Sequence, residues 1–251
     1  MKPYSIALAG KGGTGKTTLA GMLVKYLIHK DKTPVLAVDA DSNANFNDVL
    51  GVKIAGTLGD AREAMKKGDV PHGMTKDVFM SMKMQEAVVE TKHYDLIVMG
   101  RPEGAGCYCA ANTLLTNFLD KLTDNYPYMI MDNEAGMEHI SRLTTRNVDI
   151  LMLVSDGSVR GVTAAVRIYK LAKSLHIGMA KSFLVINRAK NAPSDTILKI
   201  IQDADISYAG YLPADDTIYD YDMDGKATID LPTDSAFVQA VFDVFDQQLN
   251  V

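Results

Sequence analysis

The chain has 251 residues, with 26 Lys and Arg against 31 Asp and Glu and a formal net charge of −5. Hydrophobic residues make up 47% and charged residues 23%, a balance that excludes a disordered chain and leaves apolar area for a sizeable core. The acidic surplus opposes non-specific nucleic-acid binding, which works by releasing phosphate counterions to basic side chains, and no stretch approaches the roughly 18 apolar residues of a membrane-spanning helix.

In chain order, short apolar runs fall at Tyr4–Ala9, Pro34–Asp39, Tyr94–Met99, Tyr128–Asp132, Ile150–Val154, Ser182–Asn187 and Ser207–Leu212. Most are unbroken rather than alternating, as in parallel strands covered on both faces. Between them Thr18–His29, Val159–Leu175 and Ser235–Leu249 repeat their apolar residues at helical spacing. The alternation predicts an α/β fold, a mostly parallel twisted β-sheet with helices on both faces, in a single domain over residues 1–251. The stretch 51–92 is less regular and is expected to lay helices over one sheet edge. Its Met74, Met80, Met82 and Met84 read as irregular core filler; the competing reading, thioether ligation of Cu(I), is opposed by the intervening Lys76 and Lys83. An N-terminal apolar run of only about five residues is too short for a signal-peptide core. Two cysteines exclude a secreted disulfide framework, and together these place the protein in the cytoplasm.

The first run leads directly into Gly10-Lys11-Gly12-Gly13-Thr14-Gly15-Lys16-Thr17-Thr18. This fits G-x-x-x-x-G-K-[ST] between a strand and a helix, the context a phosphate-binding loop requires. Glycines let successive N–H groups turn inward onto phosphate oxygens, and the following helix N-terminus adds its dipole. Lys16 is expected on the β- and γ-phosphates and the Thr17 hydroxyl on Mg²⁺. Acidic Asp39 and Asp41 end the second strand, where carboxylates face the ligand crevice; an Asx turn capped through Ser42 and Asn43 is the alternative.

Lys11 resembles the extra lysine of the deviant P-loop, K-G-G-x-G-K-[ST]-T, of the MinD, ParA, ArsA and nitrogenase iron-protein ATPases. The resemblance implies a MinD-like P-loop NTPase that binds ATP or ADP as a homodimer, with Lys11 reaching the other subunit's nucleotide. It further implies that Asp39 contacts the Mg²⁺ shell, that Asp41 orients or activates the attacking water, and that Asp132 in Met131-Asp132-Asn133-Glu134-Ala135-Gly136 holds Mg²⁺ through water. Gly136 would then sense the γ-phosphate. Asn187-Arg188 resembles the strand-end pair that reads the adenine edge, and Pro213 falls where the backbone flanks the base.

Cys107-Tyr108-Cys109 sits in a glycine-rich loop after the third run. Two thiols cannot complete a tetrahedral site, whereas a two-fold dimer would bring four together for zinc or another thiophilic divalent ion; buried structural thiols and a redox pair are the other readings. Taken together, K-G-G-x-G-K-T-T, V-D-x-D, G-C-Y-C and D-x-x-A-G-x-E-H resemble the CooC/AcsF family, accessory ATPases that insert nickel into carbon monoxide dehydrogenase and acetyl-CoA synthase. The resemblance implies an ATP-driven metallochaperone holding one Ni²⁺ or Zn²⁺ on Cys107 and Cys109 of both subunits, with one of those nickel enzymes as client. His139 reads as a cap or surface residue, or as a transient ligand.

An ATP-gated iron-sulfur electron-transfer protein resembling the nitrogenase iron protein is the alternative, opposed by the lack of a cysteine beyond Asp132. A membrane-bound positioning ATPase is opposed by residues 227–251, which hold four Asp and no Lys or Arg. DNA-bound partitioning is opposed by the net charge, and a small-molecule kinase leaves Lys11 and the cysteines without a role.

Overall fold

The computed structural model describes residues 2–41, 45–68, 70–100, 118–133 and 147–249. The elements run β1 (Tyr4–Gly10), α1 (Lys16–His29), β2 (Val35–Ala40), α2 (Phe46–Leu50), α3 (Leu58–Lys67), α4 (Lys76–Glu86), β3 (Val88–Glu90) and β4 (Tyr94–Val98). Residues 118–123 are helical and lead into β5 (Tyr128–Asn133) and β6 (Asn147–Ser155). The chain continues through α5 (Val159–Ser174), β7 (Gly178–Ala189), α6 (Asp195–Asp203), β8 (Ser207–Pro213), α7 (Asp216–Met223), a 3₁₀ turn (Thr228–Asp230) and α8 (Ala236–Gln248).

Eight strands form one sheet in the order β3-β4-β2-β5-β1-β6-β7-β8. Every pairing is parallel except β3 with β4. Alternate residues of each central strand feed two separate cores. Ile6 and Leu8 of β1 join Ile150 and Met152 of β6 on one face, under α1 and α8. Ala7 and Ala9 join Leu151 and Leu153 on the other, under α5 and α6. Both faces are therefore dry, which is why the strand sequences read as continuous apolar runs.

All seven expected strands are present. The edge strand β3 went unforeseen: three residues paired antiparallel to β4 are too few to show a period of two. β7 begins four residues earlier than its apolar run because Gly178 and Met179 pair with Asn147 and Val148 of β6. In the irregular stretch Met80 and Met84 are buried in the core beside α3, which accords with the filler reading. Among the described residues no helix is long and apolar enough to cross a membrane.

The last helix locks the first. Phe245 of α8 is buried and meets the Tyr26 ring of α1 edge-to-face at 5.4 Å. Beside it the Tyr26 hydroxyl donates to Asp246, which also accepts from Lys30 at 2.7 Å. Removing a ring of this kind leaves a cavity between two helices that cannot close up. Phe245→Ala is expected to lose about 3–5 kcal/mol, read as a lower urea midpoint with an unchanged slope.

Candidate nucleotide site

β1, β2, β5 and β6 end together at the carboxyl edge of the sheet, where open α/β sheets bind ligands. The register makes Asp39 of β2 the direct neighbour of Asp132 of β5, and sets Gly10 beside Val154 of β6. Any side chain at Gly10 is excluded, because its Cβ would lie 2.1 Å from the Val154 carbonyl oxygen. The chain then leaves β1 into a loop whose shape is fixed both from within and from β7. The Thr14 hydroxyl donates to the Lys11 carbonyl at 2.8 Å, Asn187 Nδ2 to the Thr14 carbonyl at 2.9 Å, and Arg188 Nη1 to the Gly13 carbonyl at 3.3 Å.

Gly15 caps α1 in the left-handed region at φ 85°, and a Cβ there would lie 2.4 Å from Asn187 Nδ2. Gly12 and Gly13, by contrast, have open space where their side chains would be. α1 has no side-chain cap and no acidic residue in its first turn, which leaves the positive end of its dipole unneutralised, the arrangement that suits an anion. Lys16 is buried, and its ammonium donates to the Lys11 carbonyl at 3.3 Å. Lys11 itself is exposed.

The carboxylates lie beneath. Asp39 is wholly buried and accepts from the N–H groups of Asp41 and Phe46, each at 3.0 Å. Burial pushes its carboxyl up to about 6 against the pull of those bonds. Asp132 is pushed up to about 7, first by burial and then by the negative charges of Asp39 and Asp41, while a Thr17 hydrogen bond and the Lys16 charge oppose the shift. Asp132 Oδ1 is buried without a hydrogen-bond partner, and so are Asn133 Oδ1 and Asn187 Oδ1. Unsatisfied acceptors of this kind are destabilising unless a donor or cation meets them. Thr17, Asp39 and Asp132 thus fit a hydrated divalent cation beside the loop, with the unpartnered oxygen as the observation that favours it.

The structure therefore brings Lys16, Thr17, Asp39, Asp132, Asn187 and Arg188 around one loop. Thr18 lies in the first turn of α1. Pro213 stands opposite Ala189 at the end of β8 and is exposed. Gly136, Cys107, Cys109 and His139 lie outside the described residues, as do Ser42 and Asn43. Among the described residues no group of three or more His, Cys, Asp or Glu is placed to hold a metal ion. One residue of the site was missed in the sequence: Asn133, buried, whose Nδ2 donates to the Leu8 carbonyl at 2.9 Å and so ties β5 to β1 just below the loop. A polar residue extending an apolar strand by one was the available signal.

The profile of the CobQ/CobB/MinD/ParA nucleotide binding domain matches residues 5–229. An uncharacterized ATP-binding protein of Methanocaldococcus jannaschii is 39% identical over 249 residues, 98% of each chain. The carbon monoxide dehydrogenase accessory protein CooC of Rhodospirillum rubrum is 30% identical over 243 residues, 90% of this chain and 89% of that one. Among solved structures, a ParA family ATPase from Chlorobium tepidum superposes with a TM-score of 0.74 at 19% identity, covering 99% of both chains. The cell division ATPase MinD of Pyrococcus furiosus gives 0.69 at 21% identity over 98% of both, and these two likenesses speak for the fold.

The buried carboxyl has a measurable signature. With its folded value raised to about 7 from an ordinary 3.8, Asp132 favours folding fully below about pH 3.8, and that contribution is lost as pH climbs through 7. In nucleotide-free, metal-free protein, Asp132→Asn is expected to melt above the parent by a margin that widens from pH 5 to pH 8. A margin independent of pH would contradict the assigned shift.

Proposed function

The chain belongs to the CobQ/CobB/MinD/ParA family of nucleotide-binding domains, and on that premise we propose that it is an ATP-hydrolysing metallochaperone. In this reading it works in the cytoplasm as a homodimer of one-domain subunits and delivers nickel to carbon monoxide dehydrogenase or acetyl-CoA synthase. The observation that carries the client class is the 30% identity to CooC, which runs over 90% of this chain and so far beyond the phosphate loop. The nucleotide half is supported by the open loop over Gly12 and Gly13 and by the buried Lys16 beside Thr17 and Asp132.

In the mechanism, the loop N–H groups and the α1 N-terminus hold the phosphates and Lys16 neutralises the β- and γ-oxygens. Thr17, Asp39 and Asp132 would hold Mg²⁺, which supplies charge neutralisation on the phosphates when bound. Asp41 orients a water in line with the γ-phosphorus. The water oxygen bonds to the γ-phosphorus as the bond to the β–γ bridging oxygen breaks, the water's proton passes to the phosphate so formed or to solvent, and ADP leaves with the electron pair of the broken bond. Lys11 of one subunit stabilises charge on the nucleotide of the other, the service an arginine finger performs. Asn187 and Arg188, which brace the loop from β7, together with Pro213, frame the base.

The cargo site is the pair Cys107 and Cys109 from two subunits, four thiolates around one ion. Nucleotide state and metal affinity are then linked reciprocally.

Two measurements separate the halves of this reading. Lys11→Ala and Asp41→Ala are each expected to keep ATP binding and to lose turnover, by about 10³-fold for Lys11; unchanged turnover removes the residue from the mechanism. Titration with Ni(II) or Zn(II) should saturate at one ion per two chains, with binding lost in Cys107→Ala and in Cys109→Ala. Tight binding of one ion per chain that survives both substitutions would refute the shared site.

A further inference from the structure

Charge is unevenly spread over the outer helices. α5 carries Arg160, Arg167, Lys170 and Lys173 and no acidic residue. α7 carries Asp216, Asp220 and Asp222 and no basic residue, and is flanked by Asp215 and Asp224. Each helix also exposes an apolar pair four residues apart, hence on one ridge. On α5 and its cap these are Leu171 and Leu175, 42% and 43% exposed; on α7 they are Tyr219 and Met223, 64% and 69% exposed. No residue of α7 is buried.

Few of the charges beside these pairs are engaged within the chain. Lys173 lies over the Tyr169 ring of its own helix, and Lys226 pairs with Asp224. Among the described residues, Arg160, Arg167, Lys170, Asp216 and Asp222 are in none of the ion pairs found, and Asp220 feels only the nearby Lys226 charge. The two helices lie on opposite faces of the sheet. Val162, Ala165 and Tyr169 of α5 sit in one core, whereas Ile218 and Tyr221 of α7 pack on the other. One copy cannot therefore bring them together.

We propose that α5 of one copy docks on α7 of a second, Leu171 and Leu175 against Tyr219 and Met223, with the arginines and lysine of one rim facing the aspartates of the other. A symmetric dimer through either helix would set like charges together, so the matching surfaces select the head-to-tail pairing. Such a contact is heterologous. Two copies so joined keep a free α5 at one end and a free α7 at the other, so growth continues past two copies to a closed ring or an open filament. The proposal uses no residue of the phosphate loop and stands whether or not the metallochaperone reading does.

The test is sedimentation of nucleotide-free, reduced protein as a function of concentration and salt, with variants that reverse one rim at a time. Wild type is expected to grow beyond a dimer with concentration at 50 mM NaCl, and to weaken by about tenfold or more at 500 mM as the exposed charges are screened. Arg167→Glu with Lys170→Glu should stay monomeric alone, and so should Asp216→Lys with Asp220→Lys. Mixed, the two variants should assemble again, because each reversed rim now finds its opposite. Circular dichroism and ATP binding establish that both remain folded. A wild type that does not grow, variants that associate as it does, or a mixture no heavier than its components would each overturn the proposal.

Discussion

Two carboxylates, Asp39 and Asp132, stand side by side at the ends of adjacent parallel strands, buried to the point that both are held well above the ordinary carboxylate range. A fold optimised for stability alone would not keep them there, since burial destabilises both and the Asp39 charge adds to the cost of ionising Asp132. What makes the arrangement tolerable is local: Asp39 takes N–H donors from Asp41 and Phe46, and Asp132 takes the Thr17 hydroxyl and the nearby Lys16 charge. What is left over, one bare oxygen of Asp132, defines the position where positive charge is wanted. Strain of this kind concentrates at functional sites.

The rest of the architecture can be read as the support for that corner. Parallel pairing puts four strand ends on one edge. The dry faces above and below then leave that edge as the place where polar groups from β1, β2, β5 and β7 meet. The loop between β1 and α1 holds its shape through donors of its own, Thr14 and Lys16, and through donors that come from β7, far away in sequence. Asn187 does this twice over, by its bond to the Thr14 carbonyl and by filling the space that a side chain at residue 15 would need. Asn133 fastens β5 to β1 from below. Loop, carboxylates and neighbouring strands therefore form one mechanical unit, and Phe46, bonded to Asp39, carries the connection on into α2.

Much of this was legible in the sequence, for identifiable reasons. Runs such as Tyr4–Ala9 and Ile150–Val154 are apolar on both faces, which only a covered parallel strand demands, so their type and order could be read directly. The phosphate loop could be read because its glycines answer a backbone requirement that few other contexts impose. The edge strand β3 could not, since three residues on a sheet edge carry no period. Nor could the partnership of Asn187 with the loop: a strand-ending asparagine has many ordinary uses, and its role depends on which strand lies beside β6, a matter of topology rather than pattern. Asn133 escaped for the same reason, because its value lies in reaching across to Leu8.

Surface charge belongs to a different level again. A net charge of −5 describes the whole chain and says nothing about where the charges lie. It argued against a nucleic-acid partner, but it also concealed a wholly basic helix and a wholly acidic one. The inward residues of α5 are buried in the core, whereas Ile218 and Tyr221 of α7 pack only at its margin. The outward residues of both helices obey no packing constraint at all. Where segregation of charge and paired apolar side chains occur together on such an unconstrained face, and the complement stands on the opposite side of the same molecule, the sequence is specifying an orientation between copies rather than the fold of one. Like-charged rims repel and unlike rims attract, so the sign of each helix fixes the polarity of the contact before any atom of it is packed.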